Sequence, residues 1–261
     1  MRTENGLEVT VADRVATVVL DRPHRLNALS TGLQRDIVTT FDGFADDPDV
    51  WAVVLTGAGE KAFCAGVDLQ EVRENDAASG AGMRPMGGMA RNVFETVLEC
   101  PRPTIAAING WALGGGFELA LACDVRLAAA GRRVGLPEAR RGMGANFGAH
   151  LLSRLLPTGI AYELLYTGDD IAVEDAQRWG LVNRVVPAAE LAAEADALAR
   201  RIAANAPVTV RRYKAAIGKG ASLPLAAALR LDVGPDPYTS EDRVEGVSAF
   251  VEKRTPQWRN R

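Results

Sequence analysis

The chain has 261 residues, of which 48% are hydrophobic and 24% are charged, and this composition is typical of a globular protein with a large core. The net charge of −3, the 6% aromatic content and the lack of a long basic run argue against nucleic acid as a partner. Two histidines and three widely spaced cysteines argue against a histidine-based metal centre, a zinc site or a disulfide framework.

The most apolar stretch, 111–130, is interrupted by Glu118, Asp124 and Arg126, so we expect no membrane span and no membrane partner. Residues 1–8 contain no apolar run, so we expect no signal peptide. The three cysteines are flanked by mostly apolar residues and are predicted to be buried free thiols, which suits a reducing compartment. We therefore expect a cytoplasmic protein.

The first half of the chain alternates predicted strands with predicted helices. Residues 29–44 have apolar side chains at helical spacing, and residues 121–128 combine the end of a helix with a strand. Short apolar or β-branched runs predict strands at 7–11, 15–20, 51–56, 104–108 and 133–135, the first two forming a hairpin. This alternation indicates an α/β fold built from repeated β-α units.

From residue 145 onward the pattern is almost entirely helical, apart from a last strand predicted at 184–186. Ser240 is the predicted N-cap of the final helix. Helical periodicity predicts helices at 151–156, 159–166, 172–179, 188–205, 208–219, 223–231 and 240–253. We divide the chain into a core of residues 1–200 and a helical C-terminal region of residues 201–261.

Residues 75–91 are rich in glycine, alanine and methionine and show no clear period. We predict a mobile loop or lid over this segment, with a solvated connector as the equal alternative. Either interpretation places the segment at the surface.

Three successive glycines, Gly114-Gly115-Gly116, stand at a predicted helix start. Glycines leave backbone N–H groups open to a ligand, and the helix start adds a positive dipole. Glu118 lies about one helical turn beyond Gly115, and Glu138 follows a proline in a turn. Two carboxylates beside open amides suit chemistry on a carbonyl compound whose oxygen becomes negative. The alternative is a tightly packed helix entry with two solvated glutamates.

Several further motifs stand in a fixed order along the chain. They are Leu20-Asp21-Arg22-Pro23, Asn27-Ala28-Leu29, Phe63-Cys64-Ala65-Gly66-Val67-Asp68-Leu69, Asn109-Gly110-Trp111-Ala112-Leu113-Gly114-Gly115-Gly116-Phe117-Glu118-Leu119-Ala120, Cys123-Asp124, Leu136-Pro137-Glu138 and Trp179-Gly180-Leu181-Val182-Asn183. In this order, over nearly the whole chain, they resemble the motifs of the enoyl-CoA hydratase/isomerase family, the crotonase superfamily.

The resemblance implies a crotonase-like spiral of ββα units, followed by a helical C-terminal region that trimerises. Acyl-CoA thioesters are the implied substrates, and a homotrimer or a dimer of trimers is the implied assembly. The backbone N–H groups of Val67 and Gly115 are implied to hold the thioester oxygen and to stabilise the enolate-like charge on it. Coenzyme A is part of the substrate, and we expect no metal, flavin or nicotinamide cofactor.

The two glutamates match the positions of the catalytic pair in the family's hydratases. The implied roles are that Glu118 activates the water that adds at Cβ, and that Glu138 exchanges the proton at Cα. An enoyl-CoA hydratase is therefore expected. A Δ3,Δ2-enoyl-CoA isomerase, for which one carboxylate suffices, and a non-catalytic acyl-CoA-binding protein on the same fold are the alternatives.

Further residues are expected to bind coenzyme A. The resemblance places Ala28, Ala65, Asp68 and Leu69 in segments that contact it, mainly through the backbone. Arg25 either meets a phosphate or is a solvated surface residue. The Asp68 side chain is expected to cap the following helix.

The final helix offers Phe250 and Lys253 about one turn apart on one face. The resemblance implies that such an aromatic and basic pair covers the nucleotide end of coenzyme A across the trimer interface, and packing on the same subunit is the alternative. Residues 142–148 depart from the glycine-rich form common among short-chain hydratases, notably at Asn146 and Phe147. We therefore make no prediction of the acyl-chain length.

Overall fold

The computed structural model of the chain describes residues 1–79 and 91–261. Over these residues the strands are β1 (Leu7–Ala12), β2 (Val15–Leu20), β3 (Ala52–Gly57), β4 (Ala62–Cys64), β5 (Thr104–Ile108), β6 (Trp111–Leu113), β7 (Val125–Ala129), β8 (Arg133–Gly135), β9 (Asp170–Ala172) and β10 (Arg184–Val186). The α-helices are α1 (Thr31–Gly43), α2 (Leu69–Ser79), α3 (Val93–Glu99), α4 (Gly115–Ala122), α5 (Asn146–Leu155), α6 (Thr158–Thr167), α7 (Val173–Arg178), α8 (Leu191–Ala203), α9 (Pro207–Gly220), α10 (Leu225–Ala228) and α11 (Glu241–Glu252).

Successive strand pairs contribute to two different sheets. The larger sheet has the order β1-β2-β3-β5-β7-β10, and its strands are parallel except for the β1–β2 hairpin. The smaller sheet has the order β4-β6-β8-β9, with β4, β6 and β8 parallel. In each of the pairs β3–β4, β5–β6 and β7–β8, the first strand therefore joins the larger sheet and the second joins the smaller sheet. This arrangement confirms an α/β fold of repeated ββα units.

Helix α4 lies in the middle of this core. All eight of its residues are buried, and Glu118 is its only ionisable side chain. A helix that is apolar on every side is stable only when it is covered on every side. Phe117 packs in the same apolar cluster as Phe41 and Phe63, which are all fully buried. Burial of α4 is what places its glutamate in a medium of low polarity.

Several sequence predictions are confirmed by these elements, and the prediction for residues 75–91 is partly wrong. The hairpin, α1, β3, β5, β8 and β10 lie where they were predicted, as do the helices from α6 to α9. Helix α5 begins five residues before the predicted segment 151–156. However, α2 extends through Ser79, so residues 75–79 are helical, and Arg91 forms ion pairs with Asp42 and Glu99. The rest of that predicted lid, residues 80–90, lies outside the described residues.

The C-terminal helices contact the core through charged as well as apolar groups. Lys214 of α9 forms an ion pair with Asp124 at 2.8 Å, directly after α4. The proposed division at residue 200 falls inside α8 and stays a prediction. In the described ranges, no helix combines the length and the apolar character that crossing a membrane requires.

Candidate active site

One open amide group belongs to Gly115, the first residue of α4. Gly114 precedes it with a φ of +55°, a conformation that favours glycine. The N–H of Gly114 donates to the carbonyl of Gly135 at 2.9 Å, which fixes the helix start to the end of β8. An N–H in the first turn of a helix has no acceptor within the helix, so the N–H of Gly115 is left open.

The second open amide group belongs to Val67, which forms a parallel bridge with Leu29. The N–H of Leu29 donates to the carbonyl of Gly66 at 2.8 Å, and the N–H of Asp68 donates to the carbonyl of Leu29 at 3.1 Å. These bonds use the residues on either side of Val67, so the N–H of Val67 faces away from the bridge.

The two amides are neighbours in space. A Cβ atom added to Gly66 would lie 3.2 Å from the nitrogen of Gly115, and one added to Gly115 would lie 3.6 Å from Cγ2 of Val67. Within the described part of the chain, neither the Val67 nor the Gly115 N–H has a hydrogen-bond acceptor. Two adjacent donors at a helix start form a site for one negatively charged oxygen.

Glu118 lies one turn further along α4 and is 5% exposed. Its Oε1 atom accepts a hydrogen bond from the N–H of Gly148 at 2.7 Å. Burial raises the pKa of Glu118 from 4.5 to about 7, and the charge of Glu138 adds to the shift, while the backbone N–H groups of Gly148 and Phe147 oppose it. This carboxyl therefore exchanges a proton near neutral pH.

Glu138 lies in a 3-10 turn, Pro137–Arg141, that follows β8. Its Oε1 atom approaches α4 so closely that a Cβ atom on Gly114 would lie 2.7 Å away. Its Oε2 atom is buried and has no hydrogen-bond partner among the described residues. Burial raises the pKa of Glu138, against the opposing effects of its own backbone N–H and of the Arg141 charge. The free carboxyl oxygen is available to a water or a substrate atom.

An aromatic pair packs beside the open amides. Phe94 of α3 and Phe147 of α5 stack with their ring centroids 5.5 Å apart, and both are buried. Cζ of Phe94 would lie 3.4 Å from a Cβ atom on Gly115. This apolar wall excludes water and lowers the local polarity, which strengthens the electrostatic effect of the open donors.

Asp68 is the centre of an ion-pair cluster at the start of α2. It is 5% exposed and accepts hydrogen bonds from Arg25 at 2.7 Å and from Arg22 at 3.3 Å. Burial alone would raise the pKa of Asp68, but the hydrogen bond and charge of Arg25, the N–H of Glu71 and the bond from Arg22 outweigh it and lower the pKa. The N–H of Glu71 is three residues along, which agrees with the predicted helix cap.

The structure thus brings four predicted residues together: Val67, Gly115, Glu118 and Glu138. Ala28, Ala65, Asp68 and Leu69 lie in the two segments around the Leu29–Val67 bridge, where Leu69 is exposed. Arg25 is not a solvated surface residue without partners, because it donates to Gln70 at 2.6 Å as well as to Asp68.

The predicted pair of Phe250 and Lys253 needs a correction. Phe250 is 86% exposed on α11, but Lys253 lies just beyond the helix with a left-handed φ of +57°. The two residues therefore do not share one helix face. No contact in the described part of the chain joins either of them to Glu118 or Glu138.

Cys64 is one of the three cysteines that the sequence predicts to be buried free thiols, and this is confirmed. The thiol is fully buried, and burial raises its pKa to about 12. Its backbone lies so close to Gly116 that no larger residue fits there. All three cysteines are buried and free.

Sequence reasoning missed the role of Asn27, which is fully buried. Its Oδ1 atom accepts from the N–H of Arg22 at 3.0 Å, and its Nδ2 atom donates to the carbonyls of Ala58 at 3.0 Å and Ala62 at 2.8 Å. These bonds hold the turn before Leu29 in place. The motif Asn27-Ala28-Leu29 was the available signal, because asparagine tolerates the left-handed conformation that Asn27 adopts here with a φ of +56°.

Comparison with known proteins agrees with this geometry. The family described as Enoyl-CoA hydratase/isomerase matches residues 10–261. The chain belongs to this family. A relative from Clostridium acetobutylicum named short-chain-enoyl-CoA hydratase is 39% identical, with 96% of each chain covered. A carnitinyl-CoA dehydratase from Escherichia coli is 38% identical, with 98% of this chain and 99% of the relative covered.

Solved structures of other family members have the same fold. The crystal structure of enoyl-CoA hydratase from Bacillus anthracis has a TM-score of 0.88 and 38% identity, with 98% of this chain and 100% of that chain covered. The enoyl-CoA hydratase from Mycobacterium tuberculosis has a TM-score of 0.88 and 32% identity, with 99% and 100% covered. The expected crotonase-like ββα spiral is therefore confirmed.

Proposed function

We propose that this protein is an enoyl-CoA hydratase, which adds water reversibly to a trans-2-enoyl-CoA thioester. The main support is the pair of Glu118 and Glu138, two carboxyls with raised pKa values beside two open N–H donors. Hydration needs a base at one carbon and an acid at its neighbour, and a pair of carboxyls supplies both. The named activity of the 39% identical relative agrees with this proposal.

Binding places the thioester oxygen between the N–H groups of Val67 and Gly115. The substrate's Cα and Cβ then lie beside Glu118 and Glu138. Glu118 belongs to the first turn of α4, and Glu138 contacts the start of the same helix at Gly114. Both donors are fixed by backbone hydrogen bonds before the substrate arrives, so no reorganisation is needed as charge develops on the oxygen.

Water addition then moves two protons and forms one C–O bond. The ionised Glu118 takes a proton from water as the water oxygen bonds to Cβ, and the π electrons move onto the thioester oxygen. The pair holds one proton, which in the reacting state is on Glu138, and this proton passes to Cα as the carbonyl re-forms. The proton that Glu118 took from water then passes to Glu138 and restores the pair. Elimination of water uses the same atoms in the opposite direction.

The alternatives use less of the site. An isomerase moves a proton between two carbons with a single carboxylate, and a non-catalytic acyl-CoA binder needs neither, so each leaves a buried glutamate without a task. The proposed reaction uses no metal or organic cofactor, because coenzyme A is part of the substrate.

Further features of the proposal concern binding and assembly. We infer that Arg25, Ala28, Ala65, Asp68 and Leu69 line the path of coenzyme A. The cytoplasm is the proposed location. A homotrimer or dimer of trimers is the proposed assembly, in which the neighbour's C-terminal segment covers the nucleotide. Support comes from exposed apolar residues on α11, namely Val244, Val247, Phe250 and Val251.

The test is the loss of absorbance of the conjugated thioester with a panel of trans-2-enoyl-CoAs, from short to long and branched. Carnitinyl-CoA is assayed for dehydration in parallel, and a Δ3-enoyl-CoA for isomerisation. Hydration of one or more enoyl-CoAs supports the proposal. Isomerisation without hydration, or binding without turnover across the panel, would contradict it.

A further inference from the structure

Arg126 is buried at the end of α4 opposite to Gly115. It lies in β7, is 6% exposed, and directs its guanidinium back at the helix. Its Nη1 atom donates to the carbonyl of Cys123 at 2.6 Å and to those of Ala120 and Leu121 at 3.4 Å each. The last carbonyls of a helix have no donor within the helix. Arg126 therefore caps the C-terminal end of α4 by hydrogen bonds, while the N-terminal end of the same helix supplies the Gly115 amide.

A motif that the proposed reaction leaves unused holds Arg126 in place. The Nε atom of Arg126 donates to the carbonyl of Leu181 at 2.5 Å. The backbone N–H of Arg126 donates to Oδ1 of Asn183 at 2.8 Å, and the backbone carbonyl of Arg126 accepts from the N–H of Asn183 at 2.8 Å. Leu181 and Asn183 belong to the motif Trp179-Gly180-Leu181-Val182-Asn183. The motif therefore fixes the position of a buried cation.

The charge of Arg126 is not neutralised by an ion pair, although the charge of the nearby Asp124 partly offsets the lowering of its pKa by burial. No carboxylate of the described residues lies within ion-pair distance of it, and the adjacent Asp124 is paired with Lys214. Burial raises the pKa of the Cys123 thiol to about 12, so this neighbour is neutral. Burial lowers the pKa of Arg126, but a guanidinium remains protonated in proteins. All of α4 is buried, so little water screens the charge along it.

We propose that Arg126 is a positioning residue for the reaction: its buried charge, held against the C-terminal end of α4, strengthens the oxyanion site at Gly115. The inference rests on the proposed function, because it requires a thioester oxygen that becomes negative at Gly115. Eight helical residues span about 12 Å. Removing a unit charge at that distance, in a partly screened interior, weakens the binding of an oxyanion by about tenfold.

Two substitutions separate charge from shape. Arg126→Gln keeps a donor amide but removes the charge, and it lowers kcat about tenfold with little change in KM. Arg126→Lys keeps the charge and stays within about threefold of the parent kcat. If the Gln variant is too unstable to purify, Arg126→Met fills the same volume without charge. Equal losses in the Lys and Gln variants would mean that Arg126 only packs the helix, and would overturn the inference.

Arg102 provides the matched control. It is 2% exposed, and it donates to the carbonyls of Phe44 at 2.8 Å, Ala45 at 3.2 Å and Asp47 at 2.9 Å, just beyond α1. Arg102→Gln removes a buried charge held by carbonyls in the same way, away from α4. It lowers the thermal stability but leaves kcat unchanged. A tenfold loss of kcat in this control would show a general effect of buried arginines and would overturn the inference.

A ligand that ionises in the site gives a readout without turnover. Acetoacetyl-CoA forms an enolate whose charge is shared between the thioester oxygen and the ketone oxygen, and the enolate is followed by its ultraviolet absorbance. The parent enzyme lowers the ligand pKa, and the ligand pKa on Arg126→Gln is about one unit higher than on the parent. Equal ionisation in parent and variant overturns the role of Arg126. If the parent itself leaves the ligand pKa unchanged, the oxyanion site of the proposed function fails, and the inference fails with it.

Discussion

The backbone N–H of Gly148 donates to Oε1 of Glu118 at 2.7 Å, across thirty residues of sequence. A Cβ atom on Gly148 would lie 2.6 Å from Cδ1 of Leu136 and 3.2 Å from Oε1 of Glu118. The missing side chain is what lets this amide reach the carboxylate. Leu136 directly precedes the turn that contains Glu138, so one glycine packs against the supports of both glutamates.

Gly148→Ala is expected to displace Glu118 or Leu136. A small shift of a reacting group costs far more in rate than in stability, so we expect kcat to fall at least tenfold and the free energy of unfolding to fall by about 1–3 kcal/mol. Steady-state kinetics and urea unfolding measure the two effects. Gly218→Ala is the control, because Gly218 lies in α9 with no atom near its added Cβ, and kcat should not change. Parent-level turnover in Gly148→Ala would contradict the importance of this contact.

Glu118→Gln and Glu138→Gln each remove the group that exchanges a proton and keep its shape. Each change should lower kcat by on the order of 10²-fold or more, as is usual when a general acid or base is lost. Glu163→Gln, at an exposed position on α6, is the control. Hydration of a short enoyl-CoA by Glu118→Gln at the parent rate would show that the hydratase proposal is wrong.

The raised pKa of Glu118 predicts a stability that depends on pH. Between about pH 4.5 and 7 the folded protein keeps this proton while the unfolded chain has lost it, so stability falls as the pH rises through that window. Glu118→Gln lacks this penalty and should exceed the parent by on the order of 3 kcal/mol at pH 8, with the gap closing towards pH 4.5. Chemical denaturation at several pH values measures the gap. A constant gap would place the Glu118 pKa near its ordinary value.

Phe147 is expected to limit the length of the acyl chain. It stacks on Phe94 beside the oxyanion donors, so Phe147→Ala opens space next to the reacting carbons. We expect kcat/KM for long enoyl-CoAs to rise at least threefold relative to a short one, a size typical of pocket changes. Phe44→Leu, in the buried residue after α1, is the control and should leave that ratio unchanged. An unaltered ratio in Phe147→Ala would place the length limit elsewhere.

The C-terminal proposal is tested by Phe250→Ala and Lys253→Gln. If the two side chains cover the nucleotide of a neighbour's coenzyme A, KM should rise severalfold for CoA thioesters and remain constant for pantetheine analogues that lack the nucleotide. Lys219→Gln, at an exposed position of α9, is the control. Oligomer size by light scattering must stay constant. Equal effects on both substrates would mean that the segment serves only assembly or folding.

Local patterns were sufficient to predict the helix start at Gly114-Gly115-Gly116, the turn that contains Glu138 and most long elements. They did not predict β4, β6 and β9, although the equally short β8 and β10 were predicted. Three residues are too few to show a period of two, so the prediction of such short strands is unreliable. The prediction of a loop at 75–79 failed because α2 is secured at its other end. There Asp68 caps the helix, and the Glu71 carboxylate accepts from the N–H of Thr31 at 2.9 Å.

Contacts between distant segments were the other limit. The bond from Arg25 to Asp68 joins residues 43 positions apart, and neither side chain has a local pattern that indicates the other. The same is true of Gly148 and Glu118. Lys253 was placed on a helix face because periodicity does not show where a helix ends in a left-handed residue. The sequence therefore indicated which groups meet at the candidate site, but not how they are held.

Val67 follows β4 and Gly115 follows β6, and these two short strands are hydrogen-bonded neighbours from consecutive turns of the spiral. The distance between the donors thus depends on one short hydrogen-bonded ladder, in addition to the Leu29–Val67 bridge and the bond from Gly114 to Gly135. Opening of that ladder would cost less free energy than global unfolding. Turnover should therefore disappear at a lower denaturant concentration than the circular dichroism signal of the folded protein. Enzymatic activity would then report local opening of this ladder before global unfolding.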